Sequence, residues 1–270
     1  MSGNALLDRL RGDELTLMMS IRSSRTPDAV RVAAATGHHA VLIDLEHSSM
    51  SVDVAAQLCA TAADLGLTPL VRVPEREYGA VGRLLDGGAH GIVFPRIETV
   101  EEARTASRAC RFPPRGQRSA VRTVPQAAMR PRPAVELREL LDPLTIVQML
   151  IETPLGVANA EAIAALDGVD SLCIGANDLT AELGVPGDYG HRAFRSAVET
   201  VAAACRRHDI PLQVGGVGDA LLESLLPLGV CRLVLTGTDT DLLYTAASGR
   251  VRELDRWNRE LQELERDEPR

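Results

Sequence analysis

Eight short apolar runs, each bounded by turn-forming residues, alternate with stretches of helical apolar spacing along this 270-residue chain. Parallel strands joined by helices produce this alternation, and eight such units over about 250 residues are typical of a (β/α)8 TIM barrel. Periodicity does not show that a sheet closes, so a doubly wound open sheet is the alternative. The predicted strands are 15–19, 40–44, 69–73, 91–95, 146–151, 171–174, 211–214 and 231–236.

Two segments depart from the alternation within what we predict to be a single TIM-barrel domain, residues 1–270. Residues 111–143 are rich in proline and arginine and are interpreted as a loop insertion, either a lid or binding loop or a disordered surface insert. Residues 250–268 are predicted to form an extra C-terminal helix that packs on a neighbouring subunit of a homo-oligomer, a trimer or hexamer. Its apolar stripe consists of Val251, Leu254, Trp257, Leu261 and Leu264.

The net charge, the length of the apolar runs and the spacing of the cysteines limit the possible binding partners and the cellular compartment of the protein. The net charge is −8 and no basic cluster is interleaved with aromatic residues, so we expect no nucleic acid. No apolar run reaches the ~18–20 residues of a membrane helix, and the N-terminus lacks the apolar core of a signal peptide. We therefore expect a cytoplasmic protein with no membrane partner. Five widely spaced cysteines without a C-x-x-C pair predict buried free thiols.

The chain contains no lysine, since all 29 of its basic residues are arginine. Schiff-base catalysis and covalent attachment of pyridoxal phosphate both require a lysine amine, so both are excluded. The P-loop lysine is missing as well, and no Gly-x-Gly-x-x-Gly follows a predicted strand. The common nucleotide-binding folds therefore have no support.

The stretch 146–183 places one carboxylate after each of two apolar runs. Glu152 follows the run 146–151 and Asp178 follows the run 171–174, with a helical pattern between them. The carboxyl ends of parallel strands lie at one edge of the sheet, where ligands bind in α/β folds. Two carboxylates there suit a hard divalent cation with positions left for substrate and water. Capping of the following helices explains these two residues equally well.

Further ionisable residues follow the second and third predicted strands. His47 comes after Asp44 and Glu46. Histidine is the side-chain type whose reference pKa lies near neutrality, which suits general acid–base catalysis. Arg72 closes the third strand, where its planar guanidinium can hold a carboxylate or a developing oxyanion. A solvated helix start and a structural ion pair are the alternatives for these two residues. Asp86 ends a helical pattern, where its charge opposes the helix dipole and indicates another role, or is simply a turn residue.

Taken together, the ordered motifs resemble the HpcH/HpaI family of metal-dependent (class II) pyruvate aldolases. They are LIDLEHSSMS, LVRVP, LLDGGAHGIVFPRIETVEEA, RFPPRGQRS, LIETPLGV and IGANDLTAELGVPGD. The resemblance covers roughly residues 5–245, and it implies a (β/α)8 barrel that cleaves or forms the bond between pyruvate, or a related 2-oxo acid, and an aldehyde. It also implies that subunits exchange their C-terminal helices.

The resemblance further implies roles for individual residues. Glu152 and Asp178 would hold the divalent metal, which is Mg²⁺, Mn²⁺ or Co²⁺. His47 would be the acid–base, with Asp86 orienting it, and Arg72 would contact the pyruvyl oxygen. The substrate would also contact three residues of the IGAND motif, namely Gly175, Ala176 and Asn177.

Departures from the family pattern concern the pyruvate pocket and the substrate. Leu150 stands where many family members have a glutamine, and Gln148 lies four residues before Glu152. A tryptophan common on the first strand is absent. The rival hypotheses are an acyl-CoA ester lyase of the citryl-CoA or malyl-CoA type, an oxaloacetate decarboxylase and a non-catalytic barrel that binds a small acid.

Overall fold

A computed structural model describes residues 4–267 and contains eight parallel strands that follow one another around a barrel. Each strand lies within two residues of its predicted position. The strands are β1 (Thr16–Ile21), β2 (Ala40–Asp44), β3 (Thr68–Arg72), β4 (Gly91–Phe94), β5 (Ile146–Ile151), β6 (Ser171–Gly175), β7 (Leu212–Gly215) and β8 (Leu233–Thr238).

The strands pair in the order β7-β6-β5-β4-β3-β2-β1-β8, so the sheet runs in sequence order and returns from β1 to β8. The seam between β7 and β8 is held by a parallel bridge between Leu212 and Val230, and the Cys231 N–H donates to the Leu212 carbonyl at 2.8 Å. The nearly closed ring confirms the (β/α)8 TIM barrel over the open doubly wound sheet.

Helices surround the barrel because both faces of a parallel sheet must be buried. Within the described residues they are α1 (Ala5–Arg11), α2 (Asp28–Ala35), α3 (Val52–Asp64), α4 (Val81–Asp86), α5 (Val100–Cys110), α6 (Ala134–Leu144), α7 (Pro154–Ala164), α8 (Ala176–Glu182), α9 (Arg192–Arg207), α10 (Asp219–Leu225) and α11 (Asp239–Asp267). All five cysteines are buried and free, as predicted.

Helix α1, which the sequence analysis did not predict, lies against the inner apolar residues of the barrel. Its residues Leu6, Leu7 and Leu10 are buried with side chains such as Met18 and Ile146. The Asn4 side chain caps the helix by accepting from the Leu6 N–H at 2.9 Å. This end is therefore packed with apolar side chains, and functional residues are left to the opposite end.

The segment 111–143 differs from the predicted loop because α6 begins within it. Leu137 and Leu141 of α6 are buried with Phe112, Val124 and Ala127 in a small apolar cluster of their own. Their helical spacing was obscured by the prolines and arginines that precede them. The segment is therefore partly helical and packed.

The C-terminal helix is longer than predicted, since α11 is continuous over 29 residues. Trp257 is 58% exposed, and Val251, Leu254 and Leu261 are exposed too, whereas the side chain of Leu264 and residue 268 lie outside the described residues. The stripe is thus exposed on the single chain, and its packing on a neighbouring subunit remains a prediction. No helix in residues 4–267 is long and apolar enough to cross a membrane.

Candidate active site

A cavity of about 170 Å³ opens among residues at the carboxyl ends of the strands. Residues from distant parts of the chain meet there because each follows its own parallel strand. The cavity is lined by Met18, Ser20, Arg22, Leu42, His47, Arg72, Val93, Gln148, Leu150, Glu152, Cys173, Gly175, Ala176, Asn177, Asp178, Gln213, Gly215, Gly216 and Leu235. Seven of the eight predicted site residues are therefore brought together, with Asp86 the exception.

Glu152 and Asp178 form the acidic side of this cavity. Glu152 is only 6% exposed, and the Arg96 backbone N–H donates to its Oε2 at 3.0 Å. Burial raises the pKa of Glu152 to about 7, and the negative charges of Asp178 and Glu46 act in the same direction. Among the described residues, no arginine or histidine forms an ion pair with either acid. The cavity thus holds two acids without a protein cation between them.

Gly175 makes room for the Glu152 carboxylate. A Cβ at position 175 would lie 2.2 Å from Oε1 of Glu152, which is far inside van der Waals contact. Because Ile151 of β5 pairs with Ile174 of β6, the residues that follow them, Glu152 and Gly175, lie side by side at the ends of these strands. Only glycine fits here, so the backbone itself shapes the acidic side of the cavity.

Ala176 and Asn177 follow at the start of α8 and also line the cavity. Ala176 is buried, whereas Asn177 is exposed and its Oδ1 accepts a hydrogen bond from the Tyr189 hydroxyl. The turn that carries Asp178 therefore has a side-chain connection to the loop before α9.

Asp44 anchors the opposite side of the cavity, which carries the arginines. Its role is not predicted from the sequence. It is fully buried, and Arg72 binds it with two donors, Nε to Oδ1 at 3.0 Å and Nη2 to Oδ2 at 2.6 Å. Arg22 adds Nε to Oδ2 at 2.7 Å. Burial alone would raise the pKa of Asp44, but the hydrogen bonds and charge of Arg72, with Arg22, hold it below its usual value.

Glu46 links this ion-pair network to His47. Arg72 Nη1 lies 3.1 Å from Glu46 Oε2, and the Nε2 atom of His47 lies 3.8 Å from the same oxygen. The His47 side chain is 53% exposed, and its backbone N–H donates to Asp44 Oδ1 at 3.3 Å. His47 thus stands at the mouth of the cavity with one face open to a ligand.

Asp86 lies elsewhere, at the end of α4. Its Oδ1 accepts from Arg118 Nη2 at 2.9 Å, and the Arg118 side chain is only 2% exposed. The Arg118 guanidinium also stacks over Phe112 at 4.7 Å from the ring centroid. Within the described chain no hydrogen bond or ion pair joins Asp86 to His47. The ion pair with Arg118 explains why an acidic residue is tolerated at the C-terminal end of α4. The role of Asp86 in orienting His47 remains a prediction.

Polar side chains also occupy the deeper part of the cavity. Gln148 Nε2 donates to Ser171 Oγ and to Gln213 Oε1, both at 3.0 Å. Leu150, on the same face of β5, lies between this pair and Glu152 and also lines the cavity. Gln148 is therefore two residues further from Glu152 along β5 than the glutamine of the family pattern, which would stand at the position of Leu150.

Comparison with known proteins shows the family to which this chain belongs. Residues 17–217 match the model of a family described as HpcH/HpaI aldolase/citrate lyase. The chain belongs to the HpcH/HpaI aldolase/citrate lyase family. The predicted resemblance is thereby confirmed.

Two curated relatives that are similar to this chain over most of its length are named as aldolases. A 4-hydroxy-4-methyl-2-oxoglutarate aldolase from Chaetomium globosum is 39% identical, over 91% of this chain and 93% of its own. Another protein of that name, from Hapsidospora irregularis, is 36% identical over 90% of this chain and 92% of its own. This HpcH/HpaI protein is therefore an enzyme, a carbon–carbon lyase of the aldolase type.

The fold agrees with solved structures of the family. The crystal structure of an HpcH/HpaI aldolase/citrate lyase family protein from Burkholderia cenocepacia J2315 superposes with a TM-score of 0.82. That protein is 31% identical, and the match covers 93% of this chain and 99% of the other.

Proposed function

We propose that this HpcH/HpaI aldolase cleaves 4-hydroxy-2-oxo acids, reversibly, into pyruvate and a second carbonyl compound with the help of a divalent cation. The observation that carries the proposal is the division of one cavity into two sides. Glu152 and Asp178 follow the adjacent strands β5 and β6, whereas Arg72 ends β3 and His47 follows β2, and all four line the cavity. Each side supplies one part of the chemistry that this carbon–carbon cleavage needs.

The acidic side fits Mg²⁺, Mn²⁺ or Co²⁺. Glu152 and Asp178 offer oxygen ligands to such an ion. Among the side chains that the structure describes, no cluster of three or more histidine, cysteine or acidic residues is suited to a metal. Two protein ligands suit hard octahedral ions that keep positions for water and substrate. When bound, such a cation supplies positive charge that polarises the keto group of the substrate.

Arg72 is held in place to stabilise negative charge on the substrate. Asp44 and Glu46 together fix the Nε, Nη1 and Nη2 atoms of its guanidinium, while the side chain lines the cavity. Each Nη carries a second N–H, so the fixed group still has donors for a ligand. A preorganised donor aimed at developing oxyanion charge costs little reorganisation during the reaction.

His47 is placed to accept the proton of the C4 hydroxyl group. In cleavage this O–H gives its proton to the imidazole, the C4–O bond becomes a carbonyl, and the electron pair of the C3–C4 bond passes to the pyruvate enolate. A proton then adds to C3, and synthesis follows the same steps in reverse. Glu46, beside Nε2, would stabilise the imidazolium that forms.

Pyruvate release from 4-hydroxy-4-methyl-2-oxoglutarate, followed by reduction with lactate dehydrogenase, tests this proposal. We expect release with added Mg²⁺, Mn²⁺ or Co²⁺ and loss in chelator. His47→Gln should lower kcat by about 10²–10⁴-fold, the usual contribution of a positioned acid–base. The control is His208→Gln, because His208 forms a surface pair with Glu161. Equal activity of the two variants would contradict the role of His47.

We also propose a homo-oligomer, a trimer or hexamer, assembled through α11. The exposed stripe of Val251, Leu254, Trp257 and Leu261 supports it, because a helix normally buries such a face. Trp257→Glu should weaken association at least about 30-fold, as expected for a central tryptophan. Sedimentation velocity should show a smaller species, whereas Arg256→Ser in the same helix should leave the mass unchanged. An unchanged mass for Trp257→Glu would contradict the proposal.

The cytoplasm is the compartment that we propose for the enzyme. Its five cysteines are all buried and unpaired, which suits a reducing environment. Fractionation of cells with an antibody to the protein would test this assignment.

A further inference from the structure

Arg22 lies in the cavity with donors that the protein does not use. It follows β1, its side chain is 36% exposed, and its Nε is bound to Asp44. In the described part of the chain, no carboxylate or carbonyl accepts a hydrogen bond from its Nη1 or Nη2. The guanidinium is therefore fixed at one edge and open at the other, as a carboxylate-binding arginine must be.

Asp44 does not require this second arginine for its own hydrogen bonding. Arg72 already contacts both oxygens, and the backbone N–H groups of Glu46 and His47 donate to Oδ1. Since the carboxylate is well satisfied without it, a structural role accounts for only one of the five N–H groups of Arg22.

Ser20 gives an independent indication of a polar ligand on this wall. It lies two residues before Arg22, lines the same cavity and is 1% exposed. Its hydroxyl has no hydrogen-bond partner in the structure. A buried hydroxyl without a partner is costly, and a ligand oxygen in the cavity would supply the missing partner.

The charges around the cavity permit a second carboxylate. The acids Asp44, Glu46, Glu152 and Asp178 are balanced by two arginines and, under the proposed function, by a divalent cation. A substrate with two carboxylates therefore binds in a site without excess negative charge. The free N–H groups of Arg22 lie on the side of the cavity opposite Glu152 and Asp178.

We infer that Arg22, assisted by Ser20, binds a carboxylate on the carbonyl partner of pyruvate and selects 4-hydroxy-2-oxo acids that carry a second carboxylate at C4. This inference rests on the proposed function. In cleavage the C3–C4 electron pair passes to the pyruvate enolate, the C4 hydroxyl proton passes to His47, and the released partner is itself a 2-oxo acid. The enzyme thus joins or separates two 2-oxo acids.

The test compares two substrates that differ in the group on C4. 4-Hydroxy-4-methyl-2-oxoglutarate carries the second carboxylate, and 4-hydroxy-2-oxopentanoate lacks it. We expect the wild-type enzyme to prefer the dicarboxylate by kcat/KM. Arg22→Gln should lower that preference by about 10- to 100-fold, because a charged hydrogen bond is lost for one substrate only. Arg22→Lys should restore part of the preference, and Arg31→Gln, a surface control, should retain it.

Ser20→Ala provides a second readout. If the hydroxyl serves a ligand, the variant should lose several-fold of the dicarboxylate preference while its melting temperature does not fall, because the hydroxyl has no partner in the protein. A lower melting temperature with an unchanged preference would contradict the role of Ser20.

The outcomes separate this inference from the proposed function. Equal losses on both substrates in Arg22→Gln would mean that Arg22 only supports Asp44, and they would overturn the inference. A wild-type enzyme that prefers 4-hydroxy-2-oxopentanoate would overturn it too. A wild-type enzyme that releases pyruvate from neither substrate with any of the three metals would contradict the proposed function itself, and the inference with it.

Discussion

Replacing Glu152 with alanine is expected to lower kcat/KM for pyruvate release by about 1,000-fold or more, because the cavity offers only two acids to a cation. Glu152 is buried, fits against Gly175 and has no protein cation as a partner among the described residues. The assay is pyruvate release over a titration of Mn²⁺, with the bound metal measured after gel filtration. Glu161→Ala removes a surface acid that pairs with Arg207 and is the matched control. Full activity and full metal content in Glu152→Ala would contradict the proposed site.

The free energy of unfolding of variants at position 152 distinguishes loss of function from loss of folding. Because the pKa of Glu152 is raised to about 7, the folded metal-free protein binds this proton more tightly than the unfolded chain does. The resulting penalty is absent below the ordinary pKa of a glutamic acid and is complete above about pH 7. At pH 8 in chelator, Glu152→Gln should therefore unfold with a free energy about 1–3 kcal/mol higher than the wild type.

Removing Asp44 is expected to have the largest effect on stability. Asp44→Ala leaves Arg22 and Arg72 without their buried carboxylate, and loss of one partner from a buried ion pair costs about 3–5 kcal/mol. Urea unfolding of the metal-free proteins measures the difference. Asp28→Ala is the control, because Asp28 is 77% exposed and its pair with Arg31 contributes about 1 kcal/mol or less. Equal losses in the two variants would contradict the anchoring role of Asp44.

The depressed pKa of Asp44 also sets the direction of its pH dependence. A carboxylate whose folded pKa lies below its unfolded value stabilises the protein at neutral pH, and this contribution disappears as the pH falls through the folded pKa. The difference between the wild type and Asp44→Ala should therefore shrink only in strong acid.

The barrel could be predicted from the sequence because its strands leave a local signal. Each is a short apolar run between turn residues, and the acids Glu152 and Asp178 stand directly after two of these runs. Since parallel strands end at one edge, sequence position alone predicted that these acids would meet His47 and Arg72 in one cavity.

The features that could not be predicted depend mostly on contacts between residues far apart in the chain. The Arg118 partner of Asp86 lies 32 residues away, in the segment that the sequence analysis had interpreted as a loop. Arg22 and Asp44 are 22 residues apart, and no local pattern distinguishes Arg22 from the arginines that follow it. Asp44 did carry the usable signal, a carboxylate at the end of an apolar strand, as Glu152 did. Helix α1 was missed because seven residues hold too short an apolar repeat.

The most direct test of the proposed chemistry is the exchange of the pyruvate methyl protons for deuterium, followed by NMR. The protein is first stripped with chelator and then supplied with Mg²⁺, Mn²⁺ or Co²⁺. Enolate formation needs no aldehyde, so this measurement does not depend on the identity of the second substrate. We expect exchange that requires the metal and is lost in Glu152→Ala. No exchange with any of these metals, in protein shown to be folded, would contradict a pyruvate aldolase.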